Sequence, residues 1–295
     1  MLNPTSPVVY TGRGPGTLAT VFGLRLHPNS AFSPIGCRTP EEILAAGMPD
    51  METSGLLPEI FAQIKLAKEV TPDWVQIAPP DTQGPFNIAH MILGTEALTL
   101  PLLEPEMFEE IMHLITDFYI AFYARIREKI GEKRYPQNVN ARCRLRECSV
   151  NLISKEMYLA HVSAHDIRIA EYFGEICVHP CSGKHVFFAT LENLPNIVYH
   201  EAMPFDGGIV PSIDVDTAIK AIGDRPIRLS SSRNVPLKSA RDVIHQDFLI
   251  NRAHPAFYFH YTITDAKPED KEALYALHQE SIEDWMEIYR HREAF

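Results

Sequence analysis

Residues 174–184 read Gly-Glu-Ile-Cys-Val-His-Pro-Cys-Ser-Gly-Lys, a short apolar segment that ends in a polar turn. The apolar residues before Pro180 predict a buried strand, and the Pro-Cys-Ser-Gly run after them ends it. Similar short strands, each followed by a polar turn, recur in the second half of the chain at 144–150, 177–179, 197–200, 227–229 and 256–260. Helical patterns lie between them, which predicts parallel strands joined by right-handed crossovers.

This alternation leaves two architectures open, an open doubly wound sheet and a closed (β/α)8 barrel. No Gly-x-Gly-x-x-Gly follows any predicted strand, which disfavours the dinucleotide-binding form of the open sheet. The first 55 residues are rich in Pro, Gly and Thr, so we expect them to be irregular apart from a helix that begins at Thr39. Apolar periodicity predicts further helices over 56–70, 87–93, 104–130 and from 267 onward, and a strand over 74–78.

The composition is that of a globular protein of 295 residues, 45% of them hydrophobic, with a formal net charge of −11. This charge argues against nucleic acid or an anionic membrane as the partner, because both require a basic surface. We expect no membrane span, since no apolar run reaches about 18 residues, and no signal peptide, since no basic start precedes an apolar run. Five scattered cysteines, an odd number, indicate reduced thiols and a cytoplasmic protein.

His179 and Cys181 are the residues that most directly indicate chemistry. Side chains two positions apart in an extended segment point the same way, so this pair can converge on one ion, and both residue types are zinc ligands. Their place at a strand end strengthens this interpretation, because catalytic groups of parallel barrels lie where strands meet the following loops. A chance pairing, with a buried cysteine that acts as a small apolar residue, is the competing interpretation.

Glu201 and His260 are candidate further ligands because each lies at the end of a later predicted strand, and His200 is a nearby alternative. A barrel would bring all of these strand ends to one rim. Taken singly, Glu201 could instead be a solvated loop carboxylate, and His260 could belong to an aromatic cluster.

Other polar residues near strand ends are candidates for substrate contact. Asp81 and Gln83 follow a strand and could hydrogen-bond a substrate, or Asp81 could cap the next turn. Arg144 and Arg146 alternate on a strand and could bind carboxylates, although the solvent face of an edge strand is the simpler interpretation. Arg233, in a serine-rich loop, could hold an anion, or the loop could be merely polar.

Four segments, taken in order, resemble the uroporphyrinogen decarboxylase superfamily. They are 81–89 (Asp-Thr-Gln-Gly-Pro-Phe-Asn-Ile-Ala), 103–107 (Leu-Glu-Pro-Glu-Met), 152–158 (Leu-Ile-Ser-Lys-Glu-Met-Tyr) and 178–183 (Val-His-Pro-Cys-Ser-Gly). The resemblance extends from about Thr39 to the C-terminal helix. It implies a single (β/α)8 barrel over residues 56–295, with residues 1–55 as an irregular or shortened N-terminal segment packed on it.

The superfamily contains two chemistries. One is a metal-free decarboxylase of an acidic tetrapyrrole, and the other is a set of zinc methyltransferases that move methyl groups between corrinoid proteins and thiols or similar acceptors. The His-x-Cys turn is similar to the methyltransferase branch, which implies one Zn2+ per chain, held by His179, Cys181, Glu201 and His260. The resemblance further implies catalytic roles for Asp81, Gln83 and Glu147, and substrate-binding roles for Arg144, Arg146 and Arg233.

Two departures from the methyltransferase branch leave the chemistry open. His260 stands where these enzymes have a late cysteine, and the acidic pair usual before the Leu-Ile-Ser segment reads Glu147-Cys148. We therefore keep three hypotheses: a zinc-dependent methyl or alkyl transferase, a metal-free lyase acting on a polycarboxylate, and a non-catalytic barrel that binds a ligand. The first predicts a corrinoid protein and a small thiol or other methyl acceptor as partners, and it leaves the oligomeric state, including a homodimer, open.

Overall fold

The computed structural model of the protein describes residues 8–28, 34–136, 143–180, 184–201, 213, 215–253 and 257–292. The N-terminal elements are β1 (Val8–Tyr10), α1 (Thr17–Val21), β2 (Arg25–Leu26), β3 (Pro34–Ile35) and α2 (Pro40–Ala46). Helix α2 begins where the sequence predicts, because Thr39 and Glu42 form a reciprocal capping box at its start.

The next elements are α3 (Leu57–Val70), β4 (Gln76–Ala78), α4 (Pro85–Leu93), α5 (Glu96–Leu103) and α6 (Pro105–Ile130). The helices predicted over 56–70 and 104–130 are confirmed nearly to the residue. Helices α3, α4 and α6 each have a proline in the first turn, where the missing N–H costs no hydrogen bond. Glycine follows α4 and α6 in the left-handed region, with φ of 63° at Gly94 and 85° at Gly131.

The second half alternates strands and helices: β5 (Arg144–Arg146), α7 (Lys155–His161), α8 (Ser163–Phe173), β6 (Ile176–His179), α9 (Lys184–Asn193), β7 (Ile197–Glu201), α10 (Val215–Ile222), β8 (Arg228–Val235), α11 (Leu237–Ala253), β9 (Phe257–Ile263) and α12 (Lys271–Arg292). Strands β5 to β9 form one parallel sheet in chain order. Each pair is therefore joined by a crossover rather than a hairpin, as the strand rhythm predicts.

The strand predicted over 144–150 is shorter than expected and ends at Arg146. Residues Cys148–Leu152 instead form a 3-10 turn. The side chain of Asn87, on α4, accepts a hydrogen bond of 2.7 Å from the backbone N–H of Ser149. The N–H of Ser149 is thus bonded to a side chain rather than to a neighbouring strand, so the strand pairing does not extend to this residue.

The first 55 residues contribute to the core. Strand β1 pairs in parallel with β4, with Val8 opposite Gln76 and Tyr10 opposite Ala78, and every residue of α1 is buried. The backbone N–H of Ile77 also donates to the carbonyl of Arg134, and that of Gly84 donates to the carbonyl of Arg146, each at 2.9 Å. The two parallel sheets are thereby linked, while the domain boundary near residue 55 stays a prediction.

The expectation of an α/β protein with parallel strands is confirmed, but a complete (β/α)8 barrel is not seen. In the described part of the chain, seven strands pair in parallel, two in the β1–β4 sheet and five in the sheet from β5 to β9. These described residues include no ladder between β9 and β1, so the eight-stranded ring stays a prediction. All four residues of β6 are buried, as expected for a parallel strand covered on both faces. None of the described helices, taken singly, is long and apolar enough to cross a membrane.

Candidate active site

The carboxyl ends of β5, β6 and β7 bring polar side chains to one edge of the sheet. In the parallel ladder, Arg146 is opposite His179, and Glu201 is the last residue of the adjacent strand β7. Neighbouring strands lie about 4.8 Å apart, so side chains at these strand ends are within contact distance. This edge is where ligands bind in parallel α/β folds.

Glu201 connects the three strands through both of its carboxylate oxygens. Oε2 contacts Nδ1 of His179, and Oε1 lies 2.7 Å from a guanidinium nitrogen of Arg144. Burial acts to raise the pKa of Glu201, but the hydrogen bond with His179 and the charges of His179, Arg144 and Arg146 outweigh it and lower that pKa to about 2. Glu201 is therefore an ionised carboxylate at neutral pH, although its side chain is only 7% exposed.

His200, the alternative ligand on the same strand, does not join this group. Successive side chains of a strand point to opposite faces, and His200 faces α9, where its Nε2 lies 2.9 Å from Oγ1 of Thr190. Its ring also packs edge-on against Phe187. Burial lowers the pKa of His200 to about 3, so the imidazole is neutral. His200 is a core histidine.

Cys177, two residues before His179, lies beside the same ion pair. Burial, together with the charge of Glu201, raises the pKa of Cys177 to about 12, although Arg144 acts in the opposite direction. The thiol is therefore protonated at neutral pH. A protonated, buried thiol is neither a nucleophile nor a metal ligand in this state.

Arg146 is held by the loop that follows β4. Its Nε forms an ion pair with Asp81, and its backbone carbonyl accepts the N–H of Gly84. The side chains of Arg144 and Arg146 are only 26% and 13% exposed. Strand β5 is the edge strand of its sheet, as that interpretation expects, but both arginines are paired with carboxylates and only partly exposed to solvent.

Gln83 is positioned by a residue that the sequence reasoning missed. The side-chain amide of Asn87 donates to Oε1 of Gln83, while its own oxygen accepts the N–H of Ser149. His90, one turn later on α4, contacts the Ser149 hydroxyl at 3.0 Å. Gln83 precedes Pro85, the first residue of α4, so helical spacing does not relate it to Asn87, and only the closeness of the two amides in the sequence could have indicated their contact.

Glu147 lies apart from the ion pairs. Its carboxyl is fully buried, and neither oxygen has a hydrogen-bond partner among the described residues. It packs against Gly84, where a Cβ atom would lie 1.7 Å from Oε1 of Glu147. Burial, and secondarily the nearby Asp166, hold the pKa of Glu147 well above its ordinary value, which favours the protonated form.

Asp166, on α8, is a second buried acid that the sequence did not single out. Burial raises its pKa to about 8, although the hydroxyl of Tyr158 donates to its Oδ2 at 3.1 Å and acts to lower it. Tyr158 and Asp166 are both buried. Glu147 and Asp166 are thus two interacting buried acids, and burial raises the pKa of both.

For three of the residues singled out in the sequence, the structure describes either the backbone alone or nothing. Cys181 is not among the described residues, and for Arg233 and His260 only the backbone is described, in β8 and β9. In the ladder, His260 is opposite Ser232 and Arg233 is opposite Tyr261. Among the described side chains, no group of three or more His, Cys, Asp or Glu residues is arranged to hold a metal ion.

Comparison with known proteins shows a similarity of fold but none of sequence. No family model matches this chain, and no curated protein matches it in sequence. Its structure is similar to that of a methyltransferase from Methanosarcina mazei, with a TM-score of 0.67 over 92% of this chain and 80% of that one. The two sequences are 15% identical, so the comparison shows a shared architecture.

Proposed function

We propose that this protein is a methyl or alkyl transferase of the uroporphyrinogen decarboxylase type, which moves the group between a corrinoid protein and a thiol or similar acceptor at a zinc site. The observation that carries the proposal is the contact of His179 with Glu201 at the carboxyl ends of adjacent parallel strands. The fold likeness to a methyltransferase supports the same class of reaction.

The donor chemistry of the described residues fits zinc. Imidazole nitrogen and carboxylate oxygen are two of its ordinary ligands in proteins, and thiolate sulfur is the third. His179 and Glu201 supply the first two and are already in contact. Cys181 follows His179 by two residues and would supply the thiolate, and His260 would complete the set.

Arg144 has a defined part in this arrangement. Because Arg144 binds Oε1 of Glu201, the other oxygen, Oε2, is directed toward His179, and it is the oxygen that a metal held by both residues would bind in place of that contact. Groups that orient a ligand in this way tune the affinity of metal sites. Arg144 would therefore hold Glu201 rather than bind substrate.

Bound zinc would supply Lewis acidity that favours the thiolate form of an acceptor thiol at neutral pH. The protein's own groups would supply the rest. Glu201 keeps its negative charge at neutral pH, and Asn87 holds Gln83 at the loop that closes the site. The thiol proton would leave to solvent as the carbon–sulfur bond forms. The bond between the methyl carbon and the donor would break, and its electron pair would stay with the donor.

Metal analysis of the purified protein tests the zinc site. We expect about one zinc per chain, and we expect Cys181→Ser to lose it because a hydroxyl is a much weaker zinc ligand. Cys37→Ser is the matched control, since Cys37 is exposed and lies outside the site. Wild-type protein without zinc, or unchanged zinc content in Cys181→Ser, would contradict the assignment.

The reaction is tested with free methylcobalamin and a small thiol such as 2-mercaptoethanol. Transfer would consume the methyl–cobalt absorbance and yield the thioether, and we expect Cys181→Ser to abolish it while Cys37→Ser does not. Zinc-loaded protein that transfers no methyl group from either free or protein-bound methylcorrinoid would favour the non-catalytic hypothesis.

The ion pairs of Arg144 and Arg146 weaken the metal-free lyase hypothesis. A polycarboxylate substrate would require guanidinium groups available for its acid groups. Here Arg144 is paired with Glu201, and Arg146 is paired with Asp81. Decarboxylation of an acidic tetrapyrrole by chelator-treated protein would restore this hypothesis.

A further inference from the structure

The side-chain amide of Gln83 uses its oxygen but not its nitrogen for hydrogen bonds within the described part of the chain. The oxygen, Oε1, accepts from the side-chain amide of Asn87, while the nitrogen, Nε2, donates to no described residue. The side chain as a whole is only 7% exposed. Because Nε2 is not among the fully buried atoms that lack a partner, it belongs to the small part of this side chain that a ligand can reach.

Gln83 lies in a loop that is tied to the end of β5 on both sides of it. Asp81 pairs with the side chain of Arg146, and the N–H of Gly84 donates to the backbone carbonyl of Arg146 at 2.9 Å. Arg146 is opposite His179 in the sheet. The accessible nitrogen of Gln83 is therefore part of the same sheet edge as the candidate active site.

A backbone group fixes the orientation of both side-chain amides. The oxygen and nitrogen of an amide are nearly equal in size, so their hydrogen-bond partners tell them apart. The backbone N–H of Ser149 can only donate, so the atom of Asn87 that lies 2.7 Å from it must be the oxygen. Asn87 then presents its nitrogen to Gln83, which must present its oxygen in return. Gln83 is left with its NH2 group directed away from Asn87.

The opposite orientation of Gln83 conflicts with these partners. If the Gln83 amide were turned over, its NH2 group would face the NH2 group of Asn87. If Asn87 were turned over as well, its NH2 group would face the N–H of Ser149. Asn87 is only 2% exposed, so water does not readily replace the lost hydrogen bond, and a buried polar group without a partner is costly.

We propose that Gln83 donates a hydrogen bond to an acceptor oxygen of the ligand, and that Asn87 is the positioning residue that sets this polarity. For the identity of the ligand the inference rests on the proposed function. The oxygen would belong either to the acceptor thiol or to an amide side chain of the corrinoid. A ligand that offers only an N–H at this place would meet another donor, which disfavours it.

NMR of the 15N-labelled full-length protein tests the donor without turnover. The probe is N,N-dimethylacetamide, whose carbonyl accepts hydrogen bonds and which has no N–H of its own. We expect a saturable shift of the side-chain amide signal of Gln83, which is identified by its loss in Gln83→Glu. Gln63 is the internal control, because its nitrogen already donates to Glu59 at 3.1 Å. No shift at Gln83, or an equal shift at Gln63, would overturn the proposal.

The variant Asn87→Asp tests the polarity. Its carboxylate can still accept the N–H of Ser149 but cannot donate, so we expect Gln83 to turn over and donate to it. The Gln83 amide signal should then no longer respond to dimethylacetamide in a protein that stays folded by circular dichroism. Asn193→Asp is the matched control, since the amide of Asn193 donates to the carbonyl of Ala189 at 2.7 Å, and it should keep the response. An unchanged response in Asn87→Asp would overturn the role of Asn87.

Kinetics identify which reactant supplies the oxygen, and they decide the proposal if Asn87→Asp does not fold. The acceptors are 3-mercaptopropionamide, which has a carbonyl oxygen, and 1-butanethiol, which has none, with methylcobalamin as the donor. We expect Gln83→Leu to raise one KM about tenfold, with kcat little changed. An increase for 3-mercaptopropionamide alone assigns the oxygen to the acceptor, and an increase for methylcobalamin with either thiol assigns it to the corrinoid.

Unchanged KM values in Gln83→Leu would overturn the proposal. Wild-type protein that transfers no methyl group would instead contradict the proposed function. The dimethylacetamide titration requires no turnover, so it would still show whether Gln83 donates to an acceptor oxygen.

Discussion

Arg144 and Glu201 lie on strands separated by β6, and a guanidinium nitrogen of the first is 2.7 Å from Oε1 of the second. The pair spans the strand that carries His179, which contacts the other carboxylate oxygen. One carboxylate therefore fixes the relative positions of three strand ends. The ionised carboxylate of Glu201 therefore organises the edge of the sheet at which we propose that the reaction occurs.

Without the guanidinium group of Arg144, the buried carboxylate of Glu201 would have one fewer positive charge beside it. We expect Arg144→Gln to lower the free energy of unfolding by about 2 to 3 kcal/mol, because breaking a largely buried pair leaves a charge without its partner. The measurement is urea unfolding at pH 7. Arg241→Gln is the control, since Arg241 is 70% exposed in its pair with Glu280, and it should cost at most about 0.5 kcal/mol. Equal effects would contradict the account.

The two histidines on neighbouring strands should behave differently. His179 faces Glu201, whereas His200 faces Thr190 on α9. If zinc binds as proposed, His179→Gln should lower zinc content at least about tenfold, while His200→Gln should keep it and lose only stability. Metal analysis of both folded variants decides this, and loss of zinc in His200→Gln alone would place the site on the other face of β7.

Gly84 should tolerate no side chain while Glu147 is present. Its φ is −70°, so alanine is not strained there, but the new Cβ would lie 1.7 Å from Oε1 of Glu147 and 3.0 Å from the carbonyl of Arg146. We expect Gly84→Ala to destabilise the protein by about 1 to 3 kcal/mol through overpacking.

Glu147→Ala supplies the matched control for this effect. Because it removes the clashing carboxyl, the double variant should be more stable than the sum of the two single effects predicts, as a double-mutant cycle measures. Strict additivity of the two changes would show that the clash is not the cause.

The buried acid Asp166 should make stability fall as the pH rises. Its pKa is raised to about 8 in the folded protein, against an ordinary value of 3.8. Between these values the unfolded chain releases a proton that the folded chain keeps, so the stability contributed by the protonated form is full below about pH 4 and is lost as the pH rises through about 8.

Unfolding measured from pH 5 to pH 9 tests this dependence. Asp166→Asn should make the slope shallower, because the amide is neutral at every pH, while the raised pKa of Glu147 leaves a residual slope of the same sign. Asp117→Asn is the control, since Asp117 is half exposed and paired with Arg168, and it should leave the slope unchanged. A wild-type stability that rises over this range would contradict the raised pKa of Asp166.

Much of the fold follows from local patterns. The capping box at Thr39, the helices over 57–70 and 105–130 and the strands around His179 and Glu201 all have local causes in propensity, capping and periodicity. The sequence also placed His179 and Glu201 at strand ends, and parallel topology then brings such ends to one edge. Those inferences required no knowledge of distant contacts.

Other features depended on contacts between distant segments. Only tertiary packing directed His200 into the helix layer, paired Arg144 with Glu201, and buried Glu147 beside Gly84 and Asp166. The physical reason is that a strand's alternation says which side chains share a face but not what covers that face. The partner, the burial and hence the protonation state of each group were decided by helices and loops packed from elsewhere in the chain.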